Sequence, residues 1–200
     1  MLVCYSKKYK TKFRMKILKN IFKNSRSSSE DGIFFTEIEK VIGFKPQSIQ
    51  YYQKAFTHRS TNRTDLKGNP MNYERLEFLG DAMLSAVIAA YLYNEAPAGD
   101  EGYLTKMRSK IVNRANLNQL ARKMGFDQLI VFDQKTVSVQ SKHHSMLGDA
   151  FEALIGAVYL DKGYDFTRNF LLKRIVKPYI DVHTLEMTET NFKSKLIENK

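Results

Sequence analysis

The sequence predicts an all-α domain. Three observations carry that expectation. Apolar residues recur at helical spacing in successive stretches, and Gly and Pro fall between those stretches. Two of the stretches also set carboxylates on the face opposite their apolar stripe. The 200 residues allow one domain of ordinary size, or one plus a fragment.

Met1–Ser29 holds nine Lys and Arg residues and no acid. It reads as a disordered, solvating leader, with a phosphate-touching arm or a transit segment as alternatives. No apolar core of about 7–15 residues follows the charges, so the stretch does not make a convincing secretory signal. Met15 would serve equally as the natural start. The net charge of +11 lies mostly in this leader, because the other 171 residues hold 23 cations and 21 acids. If the folded part binds a polyanion, it does so through a local patch. The single cysteine, Cys4, excludes an internal disulfide and suits a reducing, cytoplasmic setting. No apolar run reaches the roughly 20 residues of a membrane span, and the longest, Ala82–Tyr93, reads as a buried helix.

From Gly32 the composition turns globular. Thr36 is placed to cap a short helix carrying Ile38, Val41 and Ile42, which Gly43 and Pro46 end. Gln47–Thr57 reads as a second helix, with Ile49, Tyr52 and Phe56 at helical spacing. Phe56–Ser60, FTHRS, follows; its His58 is placed to orient the next loop or to contact a ligand. Thr61–Pro70 is a polar loop. A long helix then runs from Met71 to about Asn94.

That helix carries the densest chemistry. Glu74, Glu77 and Asp81 stand at i, i+3 and i+7 and fall within roughly 60° of one another. Leu76, Leu79, Met83, Leu84 and Val87 form the core stripe opposite. None of the three acids has a Lys or Arg at i+4, so a bound metal ion is the natural source of the missing positive charge.

Ala96–Asp100 is a turn, and Asp100 caps the helix that follows. Glu101 lies in its first turn, where a carboxylate suits the helix dipole. Lys106, Arg108 and Lys110 make a basic run farther along. Asn113 caps another helix, Arg114–Met124, which Gly125 closes. Phe126–Ser145 has no helical period and reads as a connecting loop; its His143 and His144 suit solvent or ligand contacts better than a hard metal.

A second acidic helix extends from about His144 to Lys162 and stops at Gly163. Asp149 and Glu152, at i and i+3, share one face, with Phe151, Leu154, Ile155 and Val158 behind them. Each acidic helix has a Gly beside an acid, so the two can pack closely and gather Glu77, Asp81, Asp149 and Glu152. That donor set suits Mg²⁺ or Mn²⁺ and not Zn²⁺. Asp165–Ile180 is a last amphipathic helix, disturbed near Pro178. Asp181–Thr190 is polar, and Asn191–Lys200 opens a new helical pattern. For either acidic stretch alone, a solvated face is the competing reading.

Together, in this order, the two stretches resemble a known family. ERLEFLGDA, Glu74–Ala82, matches the signature of ribonuclease III, the double-stranded-RNA endonuclease, without a departure. GDAFEAL, Gly148–Leu154, matches its second acidic motif, and FTHRS also resembles the family. The resemblance runs from about Ile33 to Ile180. It implies the dimeric helical fold of the ribonuclease III endonuclease domain over 30–181, then a linker at 182–190. Residues 191–200 would be the truncated start of a double-stranded-RNA-binding domain.

The resemblance further implies a homodimer with an RNA valley and a metal site at each end. Glu77, Asp81, Asp149 and Glu152 would hold Mg²⁺, with Mn²⁺ as a substitute. Asp81 and Glu152 would be catalytic, and Glu74 and Glu101 supporting acids. Products would carry 5′-phosphate and 3′-hydroxyl ends, with roles in rRNA and mRNA processing. In the family, the Phe matching Phe78 inserts into the other subunit. The wheel independently sets Phe78 about 40° from Glu74, away from the core stripe. A non-catalytic RNA-binding relative and an unrelated helical adaptor are the alternatives. Six intact acids argue against the first, and absence of divalent-metal binding would favour the second.

Overall fold

Residues 28–65, 67–137 and 146–180 are described by the computed structural model. They form helices α1 (Ser28–Ile42), α2 (Ile49–Ala55), α3 (Glu74–Glu95), α4 (Glu101–Ile111), α5 (Arg114–Lys123), α6 (Leu147–Lys162) and α7 (Tyr164–Phe170). Helix α7 passes into a π-helical stretch, Leu171–Val176, and a final turn, Lys177–Tyr179. Among the described residues there is no strand, only isolated bridges between Thr57 and Val131 and between Thr64 and Pro70. The basic leader up to residue 27, His143, His144, and the stretches expected to be a linker (182–190) and the start of a second domain (191–200) lie outside the described residues.

Helix α6 is the axis of the molecule. Its sequence from Leu147 to Val158 is almost wholly small or apolar, and α2, α3, α5 and α7 pack around it. The closest approach is the crossing of α3 and α6. A Cβ on Gly80 would run into the Glu152 carbonyl, and one on Gly156 into the Leu76 carbonyl. The glycine expected beside Asp149 plays a different part: the Gly148 N–H donates to Asn118 Oδ1 of α5 at 2.7 Å. Gly156, one turn beyond Glu152, is the partner of Gly80 in the crossing.

This crossing sets the rotation of α3. Its buried face is Leu76, Gly80, Leu84, Val87, Ile88 and Leu92. Leu79, expected in the core stripe, is only half-buried and lines a surface hollow beside Phe78. Among the described residues α3 is the one helix long and apolar enough to cross a membrane by length and composition. The run of strictly apolar residues is shorter, as the sequence suggests, because Glu74, Glu77 and Asp81 interrupt it. Contacts with α6 account for its inner face.

Helix ends follow local chemistry in most places. Asp100 Oδ1 accepts from the Tyr103 N–H at 2.8 Å, and Asn113 Oδ1 from the Asn116 N–H at 2.9 Å, both caps as expected. Gly43 and Gly125 adopt positive φ where α1 and α5 stop. Helix α1 departs from expectation. It begins at Ser28, and Thr36 lies inside it, donating Oγ1–H to the Gly32 carbonyl at 2.9 Å.

Helix α2 is capped from a distance. Asp161 of α6 accepts from the N–H groups of Gln47 and Ser48 and from the Tyr52 hydroxyl, at 2.7 to 3.1 Å. Its side chain is 1% exposed, with the Lys162 ammonium at 3.7 Å. The disturbance near Pro178 is the π-helical stretch N-terminal to it. Proline lacks the N–H that Arg174 would bond and crowds that carbonyl; a wider turn relieves both.

The stretch after α5 is more than a loop. Phe126, Leu129 and Ile130 are buried, and Val131 exchanges backbone bonds with Phe56 and His58. A cavity of 560 Å³ opens where α1, α5 and the last turns meet, lined in part by Lys40, Lys123, Lys173 and Arg174. Lys40 pairs with Glu37 at 3.0 Å, Arg174 donates to the Val41 carbonyl at 3.3 Å and Lys123 lies over the Tyr179 ring. Arg174 thus answers the C-terminus of α1, Lys40 a carboxylate and Lys123 a ring.

Candidate active site

The α3–α6 crossing brings acids from both helices to one opening. Glu74, Glu77, Phe78 and Asp81 of α3 and Glu152 of α6 line a depression of 440 Å³. Asp149, one turn before Glu152, lies close enough to raise the proton affinity of both Glu77 and Glu152. Phe78 stands on its rim, 81% exposed, and joins the hollow shared with Arg75 and Leu79.

Burial, with repulsion added for Glu77 and Glu152, holds Glu77, Asp149 and Glu152 above the ordinary carboxyl range. Glu152 is pushed up to about 7, first by desolvation, then by Asp81, Glu77 and Asp149. Glu77 is raised by desolvation and Asp149, with Arg114 opposing. Asp149 is raised by desolvation, against Arg114, a bond from Tyr73 and Arg59.

The protein supplies some of the missing positive charge itself. Arg59 Nη1 lies 3.1 Å from Glu74 Oε1, and Arg114 Nη1 lies 3.7 Å from Asp149 Oδ1. Both arginines reach the acids from other segments, so i+4 spacing on α3 could not reveal them. Tyr73, whose hydroxyl donates to Asp149 Oδ2 at 3.4 Å, is a further contact that spacing does not show.

Glu101 is placed otherwise. Its carboxylate accepts from Thr105 of its own helix at 3.0 Å and does not line the depression. His58 orients its loop: Nδ1 accepts from the Ser60 N–H at 3.1 Å, and Ser60 Oγ in turn accepts from the Asp133 N–H at 3.0 Å. Burial and Arg59 lower the His58 pKa, against Glu74.

The donor chemistry fits a hard divalent cation. Glu77, Asp81 and Glu152 open on one depression with Asp149 beside them, and Arg114 and Arg59 answer the repulsion only in part. As the side chains stand, no group of three or more His, Cys, Asp or Glu among the described residues is gathered tightly enough to hold a metal ion.

A pH test follows from Glu152. A carboxyl with pKa about 7 when folded and 4.5 when unfolded binds more protons in the folded state between those values. Without cations, stability therefore falls as pH rises through that window. The melting midpoint of cation-free protein is expected to drop between about pH 5 and pH 8, and Mg²⁺ to remove the drop. A flat midpoint would mean that Glu152 titrates as if in water.

Comparison with known proteins places this arrangement. A family model described as Ribonuclease-III-like matches residues 49–179. The chain is 53% identical over 184 residues to Ribonuclease 3 of Flavobacterium psychrophilum, covering 92% of this chain and 73% of that one. It is 50% identical over 184 residues to Ribonuclease 3 of Zunongwangia profunda, covering 92% and 74%. Among solved structures, the nuclease domain of ribonuclease III from Campylobacter jejuni superposes with a TM-score of 0.62 at 30% identity, over 72% of this chain and 96% of that one.

Fold and similarity together define an all-α nuclease domain with its acids on two crossing helices. The chain belongs to the ribonuclease III family of double-stranded-RNA endoribonucleases, hydrolases that work with divalent cations.

Proposed function

We propose that this chain cleaves double-stranded RNA by Mg²⁺-dependent hydrolysis at the α3–α6 depression, leaving 5′-phosphate and 3′-hydroxyl ends, in the processing of rRNA and mRNA. The observation that supports the reading most is the shared opening of Glu77, Asp81 and Glu152, with Asp149 coupled to them and too few protein cations to neutralise the set. Phosphate does not approach such a cluster unaided, because like charges repel.

Glu77, Asp81, Asp149 and Glu152 would hold the cation. When bound, Mg²⁺, or Mn²⁺ in its place, supplies positive charge for the phosphate and acidifies water. The protein's own part is orientation. The glycine crossing fixes the α3 and α6 backbones, so Asp81 and Glu152 open on the same depression from two helices. Glu74, tied to Arg59, supports the α3 acids from one side. Glu101, exposed at the start of α4, takes part through water. Duplex RNA is read by A-form shape, phosphates and 2′-hydroxyls.

The active form is a homodimer joined along the outer side of α3. Phe78, Ala82, Ala86, Ala90 and Tyr93 are all exposed there and fall within about 120° of one another. A stripe of that composition favours a partner surface. The Campylobacter jejuni nuclease domain was itself described with a region involved in dimer formation. Phe78→Ala is expected to raise the dimer dissociation constant about 30-fold, as for an aromatic anchor. Sedimentation at low concentration checks this, and an unchanged dimer mass would exclude Phe78 from the seam.

The function is tested by offering a long RNA duplex and a single-stranded control at low salt, with Mg²⁺ or with EDTA. Cutting of the duplex alone, only with Mg²⁺, is the expected result. Duplex binding without cutting would make the chain a non-catalytic relative.

A further inference from the structure

We propose that Tyr73 is a positioning residue for the cation-binding carboxylates: its phenol hydroxyl holds Asp149 in place beside Glu77 and Glu152 before any cation arrives. The inference rests on the reading that these acids bind a divalent cation and extends it to a residue outside the carboxylate set.

Tyr73 precedes α3 and is 3% exposed. Its backbone is pinned on both sides: its N–H donates to the Thr57 carbonyl at 3.0 Å, and its carbonyl accepts from the Glu77 N–H at 2.8 Å. The His58 ring meets the phenol edge-on with centroids 5.6 Å apart, and the Ser60 N–H in turn holds His58 through Nδ1. The phenol therefore has little freedom, and its hydroxyl lies 3.4 Å from Asp149 Oδ2.

Arg114 approaches the other Asp149 oxygen, at 3.7 Å, on a largely exposed side chain. Tyr73 is the rigid one of the two. A neutral donor also suits the task. It orients a carboxylate without cancelling the negative charge that attracts a cation, whereas an ammonium in its place would compete with that cation.

The test measures Mn²⁺ binding directly, from the electron paramagnetic resonance of free Mn²⁺, without RNA, on the wild type, Tyr73→Phe and Asp149→Asn. Cleavage is followed in parallel against Mn²⁺ and RNA concentration. Tyr73→Phe is expected to bind Mn²⁺ about tenfold more weakly and to need about tenfold more for half-maximal cleavage. Its KM for duplex and its melting midpoint without cation should stay near the wild type, which a merely structural role would not predict.

Weak Mn²⁺ binding by Asp149→Asn with wild-type binding by Tyr73→Phe would overturn the proposal and leave the carboxylate site standing. Wild-type binding by Asp149→Asn would remove the site reading, and Tyr73's role with it. In a double variant, the loss caused by Tyr73→Phe should vanish, because its target is gone; a further loss there would show that Tyr73 acts elsewhere.

Discussion

Glu152→Gln is expected to lower Mg²⁺-dependent cleavage of duplex RNA by about 10³-fold, the scale of roughly 4 kcal/mol of lost transition-state stabilisation. The amide keeps the shape of the side chain and removes its charge. That change removes the cost of burying a charge, the main reason the Glu152 carboxyl stands near 7, and relieves the added repulsion with Asp81, Glu77 and Asp149. The variant should therefore melt no lower than the parent in the absence of cations. It should also bind duplex about as tightly, since duplex is read by A-form shape, 2′-hydroxyls and phosphates along its length and not by one carboxylate. Cleavage rates, a melting curve and fluorescence anisotropy with labelled duplex separate these effects. Full activity would remove Glu152 from the cation-binding set, and a collapsed melting curve would make its role structural.

Gly80→Ala is expected to destabilise the protein by about 3 kcal/mol or more, the upper range for overpacking. The added methyl group would meet the Glu152 carbonyl, which is backbone in the middle of α6 and has nowhere to turn. Gly102→Ala is the matched control. A Cβ there meets only Asp100 Oδ1, at 3.5 Å, on an exposed first turn of α4. Helix propensity alone should make that variant more stable by about 0.5–1 kcal/mol. One chemical change thus gives opposite signs at two sites, and urea unfolding midpoints read both. Equal midpoints for the two variants would show that α3 and α6 do not touch at Gly80.

The acids and Phe78 were legible in the sequence because helical period alone decides which residues share a face. Glu74, Glu77 and Asp81 needed only the angle per residue, and the exposure of Phe78 follows from the same wheel. The crossing was half legible. A glycine beside an acid marks α3 correctly at Gly80, yet in α6 it points to Gly148, whose backbone is tied to Asn118. Which glycine meets a partner depends on where two axes cross, and no single helix carries that information.

Leu79 illustrates the same limit: an apolar stripe wider than the contact leaves its edge outside. Long-range donors were beyond reach for a related reason. Arg114, Tyr73 and the Asp161 clamp on α2 are tertiary contacts, and the residues involved have ordinary local explanations as a helix start, a ring and a late helical acid. Thr36 shows local reasoning overruled, since its hydroxyl bonds back to Gly32 within a helix that had already begun.

The composition of α3 bears on the life of the newly made subunit. Only 33% of its most apolar 18-residue window is buried within one chain. In a single chain the outer side of α3, with Phe78, Ala82, Ala86, Ala90 and Tyr93, is thus an exposed apolar stripe. Such a surface is the kind on which aggregation starts and to which chaperones and proteases respond. If the homodimer proposed above forms, unpaired chains would be the ones exposed to proteolysis, and abundance would follow the rate of pairing as well as the rate of synthesis.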